Sequence, residues 1–315
     1  MLTVIGEALI DLVDSGDHVT FTAHPGGSPL NVAVGLARLG HRTALMARLA
    51  TDGFGRVLRD HAERDGIQLN GAPEATEPTT LAVVSLDEHG RASYDFYLDG
   101  TADWQWTTAE LAAVPADTTI LHTGSLATWT PPGDSLIGAL MAQWHDDDRG
   151  LVSYDPNVRP RLIGSPERGR PLIESCVRRA HVVKVSEDDL SWLYPGRDLD
   201  CVAGDWRDLG PDLVVITRGP AGATGYPGGE PPVHRPAPAI ELVDTVGAGD
   251  AFMAGLLGAF ADAGVRDRAG LQAVYSDAAR LGAAIDDATL VAAMTCERAG
   301  ADPPTQAELA ARRFR

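Results

Sequence analysis

The sequence predicts an α/β fold in which helices cover both faces of a mainly parallel sheet and a small β lid projects from the body. Three observations carry this. From Thr118 onward, short apolar runs at 120–123, 151–154, 182–185 and 213–217 alternate with helix-like segments, as βα units do. Small residues gather where those runs end, and strand ends are where open α/β sheets place their ligands. Earlier, 79–86 and 92–98 flank the polar turn Asp87-Glu88-His89-Gly90, which reads as a hairpin.

In order along the chain, 2–6 is a buried strand that ends at Gly6 and continues through Glu7 to Val13. Asp11, an acid between apolar neighbours, is either a turn-facing residue or an acceptor for a ligand hydroxyl at the strand's carboxyl end. His24-Pro25-Gly26-Gly27-Ser28-Pro29-Leu30-Asn31 leads into a helix that closes at Gly40. Gly26 and Gly27 allow close approach of a ligand to the backbone. Asn31 either caps the helix or offers its donor and acceptors to vicinal hydroxyls. A strand at 43–49 and a helix opening at Asp52 follow. Residues near 14–21 join the hairpin in a lid, approximately 13–24 and 82–104. Helices are expected at 135–144, 171–179 and 188–194, a surface connection at 227–238, and helices at 271–284 and 288–296.

At 315 residues the chain accommodates one large α/β domain with an accessory piece. No apolar run is long enough to span a bilayer, and Met1 enters a strand at once. Three widely spaced cysteines with no CxxC suggest reduced thiols in the cytoplasm, not a disulfide frame or a zinc site. A net charge of −18 argues against a nucleic-acid partner and leaves any phosphate site dependent on local donors and a divalent cation.

The most informative stretch is Asp244-Thr245-Val246-Gly247-Ala248-Gly249-Asp250, with a helix starting directly after it. Convergent amides at Gly247, Ala248 and Gly249, aided by the helix dipole, make an anion site. Asp250 would repel a resting phosphate. It is either a helix-start cap or a base that takes the proton of a hydroxyl attacking that phosphate. Other strand-end clusters, at 26–31, 155–159, 184–189 and 217–222, fall on the same edge of the expected sheet. There is no Gly-x4-Gly-Lys-Ser/Thr motif, no third glycine of a dinucleotide fingerprint (Phe252 stands there), no HExxH and no G-x-S-x-G.

The stretches Gly26-Gly27-Ser28-Pro29-Leu30-Asn31-Val32-Ala33 and Asp244-Thr245-Val246-Gly247-Ala248-Gly249-Asp250-Ala251-Phe252, in that order and separation, resemble the two signatures of the PfkB/ribokinase family of sugar kinases. The likeness runs along essentially the whole chain. Gly6-Glu7-Ala8-Leu9-Ile10-Asp11, the stretches 153–160 and 183–190, and the tail 296–305 make it most similar to bacterial fructokinases and 2-keto-3-deoxygluconate kinases.

The resemblance implies one ribokinase-like, doubly wound domain over 1–315, and transfer of the γ-phosphoryl of ATP to a sugar hydroxyl with Mg²⁺. It leaves room for a monovalent cation such as K⁺. By the same resemblance Asp250 is the base and the amides of Gly247, Ala248 and Gly249 form the anion hole. Asp11, Gly26, Gly27, Asn31 and Phe96 meet the sugar. Asn157, Arg159, Lys184, Ser186, Thr217, Gly219 and Gly222 surround the nucleotide, and Asp189 organises the metal through water. It further implies a cytoplasmic homodimer joined through the lid, whose apolar face carries Val84, Phe96 and Leu98.

Two departures bear on the substrate. The family's Asn-x-x-Glu stands here as Ser186-Glu187-Asp188-Asp189. Leu98 follows the paired aromatics where an arginine is common, which favours a neutral sugar over a sugar acid.

Overall fold

The structure, a computed structural model, describes residues 1–86 and 92–313. The expected turn 87–90 lies outside them. The chain opens with strands β1 (Leu2–Ile5), β2 (Leu9–Asp14) and β3 (Phe21–Gly26). Helix α1 (Ser28–Arg38), β4 (Thr43–Met46), β5 (Leu49–Ala50), α2 (Gly53–Arg64) and β6 (Glu74–Ala75) follow, then β7 (Leu81–Leu86) and β8 (Ala92–Tyr97). The alternating part runs α3 (Thr108–Leu111), β9 (Ile120–Gly124), α4 (Asp134–Asp146), β10 (Leu151–Asp155), α5 (Pro160–Ile163), α6 (Pro166–Val177), β11 (Val182–Ser186), α7 (Glu187–Leu193), α8 (Leu199–Leu209) and β12 (Leu213–Thr217). It ends with β13 (Ala223–Pro227), β14 (Val233–Arg235), α9 (Ala248–Asp262), α10 (Arg268–Tyr275), α11 (Ala278–Cys296) and α12 (Gln306–Arg313).

The main sheet has the order β14-β13-β12-β11-β10-β9-β1-β4 and is parallel from β12 to β4, with β13 and β14 added antiparallel at one edge. Alternation along each strand divides the core in two. Val4, Val182 and Val215 face α1, α9 and α11, while Ile5, Val183 and Ile216 face α4, α6 and α8. Helix α9 is buried on almost every side because α1 and α11 flank it against the sheet. Small residues set those crossings: a Cβ at Gly35 would lie 2.6 Å from Ala254 Cβ, and one at Gly255 would lie 2.8 Å from Ala288 Cα. Among the described residues no helix is long and apolar enough to cross a membrane.

The lid is a four-stranded sheet, β3-β2-β7-β8. It starts at Leu9, because the expected continuous strand breaks at Gly6-Glu7-Ala8, where the chain leaves the main sheet. Residues 15–20 form a turn between β2 and β3. The register aligns Asp11 with His24 and Ala82, and Ala82 with Phe96, so these four share one face.

Other elements differ from expectation for local reasons. The strand expected at 43–49 stops at Met46, and β5 pairs with β6 in a separate two-stranded sheet. Helix α6 begins at Pro166 after extended Ser165, since proline suits a first helical position, and it carries Pro171 inside. The two helices expected at 271–284 and 288–296 are divided differently. A short α10 ends at Tyr275, and α11 runs unbroken from the cap Asp277, whose carboxylate accepts the N–H of Ala279 and Arg280. Asp286 and Asp287, which looked like a break, lie on the outer side of α11 and pair with Arg235 and Arg313.

Candidate active site

The turn before α9 is built from both directions. The Asp244 carboxylate accepts the N–H of Val246 (3.0 Å) and of Gly300 (2.8 Å), tying the turn to the tail after α11. Gly247 takes φ 74, and a Cβ there would lie 2.5 Å from Ala301 Cβ, so conformation and space both require glycine. The first amides of α9 need partners from outside the helix. One of the three expected donors is engaged within the turn: the Ala248 N–H donates to Thr245 O at 3.2 Å.

Asp250 lies in that first helical turn, 8 % exposed. Ser28 Oγ donates to Oδ1 at 2.6 Å and Asn31 Nδ2 donates to Oδ2 at 2.9 Å, so both oxygens are held from the start of α1. Burial pushes the carboxyl above its ordinary range, opposed by these two hydrogen bonds and by the charge of Lys184. The Asn31 amide, expected at the sugar, orients the carboxylate through its Nδ2. Ser28 was missed, although its spacing of three from Asn31 places both on one helix face.

Beneath the turn, Lys184 Nζ stands 2.5 Å from Asp155 Oδ2, with the two side chains 4 % and 1 % exposed. A Cβ at Gly249 would lie 3.1 Å from that ammonium, so the cation sits directly against the helix start. Lys184 is thus a buried, paired charge and not a loose surface cation. The Ser186 hydroxyl oxygen accepts the Asp189 N–H at 3.0 Å, which spends it on capping α7. Burial and the nearby Asp155 push Asp189 up to about 6. Arg159 Nη1 donates to Asn157 Oδ1 at 2.6 Å, and its charge opposes the upward shifts of Asp11, Glu7 and Asp189. Asn157 itself adopts φ 40.

On the lid side, the Asp11 carboxylate lies over Gly26, where a Cβ would fall 2.2 Å from Oδ2. Burial pushes Asp11 up to about 6, against the pull of Arg159. It stands within a lid strand, not at the carboxyl end of a main-sheet strand as expected. Gly27 takes φ 105, and a Cβ there would lie 2.7 Å from Glu7 O. Phe96 and Leu98 are partly buried against the core cluster that includes Trp104, Trp106 and Trp129, and Val84 is buried. The lid face expected to meet another subunit is thus largely covered by this chain. Among the described residues, the large apolar side chains exposed on the lid are Val19, Phe21 and Tyr97.

Thr217 ends β12 beside Ser186, and a single helical turn, 219–221, leads to Gly222 at φ 92. Sequence reasoning missed Arg218. It donates to Thr224 Oγ1 (2.6 Å), Tyr226 OH (2.8 Å) and Asp200 Oδ1 (2.8 Å), bracing this loop against β13 and α8. Replacing Arg218 with alanine is expected to raise KM for ATP about tenfold, the worth of one charge-assisted hydrogen bond, with little change in KM for the sugar. Initial rates with each substrate varied in turn measure this. An equal rise in both KM values would refute a role confined to the nucleotide loop.

Amides and a carboxylate sharing one helix start, at the strand-end edge of a parallel sheet beneath a separate lid, are the parts of a small-molecule kinase. Residues 1–308 match the model of the pfkB family carbohydrate kinases, and the chain belongs to that family. It is an ATP-dependent sugar kinase. It is 34 % identical over 260 residues to a fructokinase of Rhizobium leguminosarum bv. trifolii, across 82 % of this chain and 78 % of that one. It superposes on the fructokinase of Vibrio cholerae O395 in its fructose-, ADP- and calcium-bound form with a TM-score of 0.85 at 30 % identity, covering 98 % and 97 % of the chains. The fructokinase of Xylella fastidiosa with bound ATP gives a TM-score of 0.89 at 27 % identity over 100 % and 99 %.

Proposed function

We propose that this kinase phosphorylates fructose and that Asp250 is its catalytic base. The observation carrying the reading is the Asp250 carboxylate, buried at the start of α9, oriented through both oxygens and flanked by the amides of Gly247 and Gly249. One hydroxyl of the sugar loses its proton to Asp250, and its oxygen forms a bond to the γ-phosphorus of ATP. The bond from that phosphorus to the β–γ bridging oxygen breaks, and ADP leaves with the electron pair. The two amides and the adjacent Lys184 hold the charge that gathers on the transferring group.

Asp11, Gly26, Gly27, Asn31 and Phe96 form the sugar side, and the shared face of Asp11 and Phe96 supports this. Asn157, Arg159, Thr217, Gly219 and Gly222 form the nucleotide side. Among the described residues no three His, Cys, Asp or Glu side chains cluster tightly enough to hold a metal by themselves. Asp189, a carboxylate beside Asp155, suits Mg²⁺, which keeps most of its waters and binds chiefly through phosphate oxygens. When bound, that ion neutralises the charge between the β- and γ-phosphates; a monovalent cation such as K⁺ is the other ion to test. The chain acts as one ribokinase-like domain in the cytoplasm. Its homodimer joins through the lid surface carrying Phe21 and Tyr97, which are 40 % and 61 % exposed.

An ATP-consumption panel over fructose, 2-keto-3-deoxygluconate and ribosides tests the substrate. Fructose is expected to give the highest kcat/KM. A sugar acid or a riboside preferred by more than about tenfold would replace it. Sedimentation that finds only monomer at high concentration would remove the dimer.

A further inference from the structure

Four chain crossings join the lid to the body: 6–8, 26–27, 78–80 and 98–103. Two acids lie at these crossings, and the transfer step uses neither. Glu7 is 0 % exposed and Asp103 is 1 % exposed. Glu7 Oε2 accepts the Ala127 N–H (3.2 Å) from the segment after β9, and the Ser125 hydroxyl beside the carboxyl favours its charge, while Oε1 has no hydrogen-bond partner. Asp103 Oδ1 accepts the Ala8 N–H (3.0 Å), linking the last crossing to the first, while Oδ2 is likewise unpartnered. The Thr80 hydroxyl, at the third crossing, gives its one proton to Thr101 at 2.7 Å and so leaves Asp103 Oδ2 bare. Each acid thus ties a crossing to another segment with one oxygen and leaves the other oxygen bare in the interior.

We propose that Glu7 and Asp103 are positioning residues of the lid joint: by pinning the crossings that carry β2 and β8 they set the lid over the sugar site and thereby the affinity for the sugar. The inference about affinity rests on the reading of Asp11 and Phe96 as sugar contacts; the pinning of the joint does not.

The chemistry of the pair gives the joint a pH dependence. An ionised carboxylate with a bare oxygen in a dry interior is costly, and two such acids near one another make it worse. Burial pushes Glu7 and Asp103 each up to about 7, and the charge of Glu7 adds to the rise of Asp103. The cations facing them are Arg159 toward Glu7 and Arg48 toward Asp103, both of which pull the other way. Arg48 is already engaged with Glu77 and Glu110, each at 3.2 Å, and with Ala102 O at 3.0 Å, so it leaves the bare oxygens unpartnered. Because both values are raised above those of the unfolded chain, the joint is tightest below the ordinary carboxylate range and weakens as pH rises through about 7.

The test uses the full chain and the variants Glu7→Gln and Asp103→Asn, neutral amides of the same shape. In the parent protein KM for fructose is expected to rise about fivefold from pH 6 to pH 8, with KM for ATP nearly flat. Each amide variant should lessen that rise, and the double variant should flatten the fructose profile. A second readout needs no sugar. Amide exchange across Leu9–Asp14 and Leu81–Leu86, corrected for intrinsic rates, should quicken over the same pH interval in the parent, less in each variant and not in the double variant. Exchange and KM profiles that are the same in parent and variants would overturn the proposal. Fructose failing to bind while the exchange difference persists would sink the fructose reading and leave the joint standing.

Discussion

Asp250→Asn is expected to lower kcat by about 10²-fold or more while changing sugar affinity little. The amide keeps the shape that meets Ser28 and Asn31, so the site should assemble, but it cannot accept the hydroxyl proton. Single-turnover rates with ATP, beside calorimetric titration of the sugar, separate the two effects. An unchanged kcat would remove Asp250 from the role of base. The same carboxylate sets the acid limb of kcat/KM. Burial raises it, so activity falls on acidification at a pH above the ordinary carboxylate range. Ser28 donates to Oδ1 and favours the charged form, so Ser28→Ala should move that limb to still higher pH. A limb that stays in place would mean that Ser28 packs against the base without tuning it.

Lys184→Met is expected to cost about 3–5 kcal/mol of stability, the usual result of leaving one member of a buried ion pair without its partner. Asp155, 1 % exposed, would then keep a charge that water cannot reach. The companion Lys184→Met/Asp155→Asn removes both charges and should recover most of the loss. Urea unfolding of the two variants beside the parent measures the difference. Turnover should remain low in both, because the cation beside Gly249 is missing in each. A double variant that folds stably and also turns over normally would show the pair to be structural only.

The parts of the site that lie close together in sequence were legible: the glycine turn with its acid at 247–250, the paired glycines before Asn31, and the ends of the parallel strands. Each rests on short-range rules of turn chemistry and strand periodicity. What escaped depends on partners far apart in the chain. Ser28 and Asp250 are separated by 222 positions, and nothing near Ser28 announces an acceptor. Arg218 stands out only once β13 and α8 close around it. Glu7 and Asp103 read as ordinary polar residues because burial, not identity, makes them unusual. The lid was visible as a hairpin, yet which of its faces is covered depends on the aromatic core beneath Phe96 and Leu98. The division of α10 from α11 was misplaced because aspartates on an exposed helix flank look like a stop unless their arginine partners are known.

The close crossings of α1 with α9 and of α9 with α11 have a consequence for how such an enzyme changes its acceptor. With Gly35 against Ala254 and Gly255 against Ala288, side chains larger than hydrogen have no room at either contact. Ser28, Asn31 and Asp250 therefore ride on a block that tolerates little substitution and can hardly be re-aimed. On the proposed reading of the sugar side, Asn31 rides on that block, and variation that admits a new sugar is expected at Asp11 and Phe96 on the strands of the lid, where exchanging one face residue leaves the helix crossings untouched. On that reading the chemistry and most of the choice of acceptor are inherited on separate pieces.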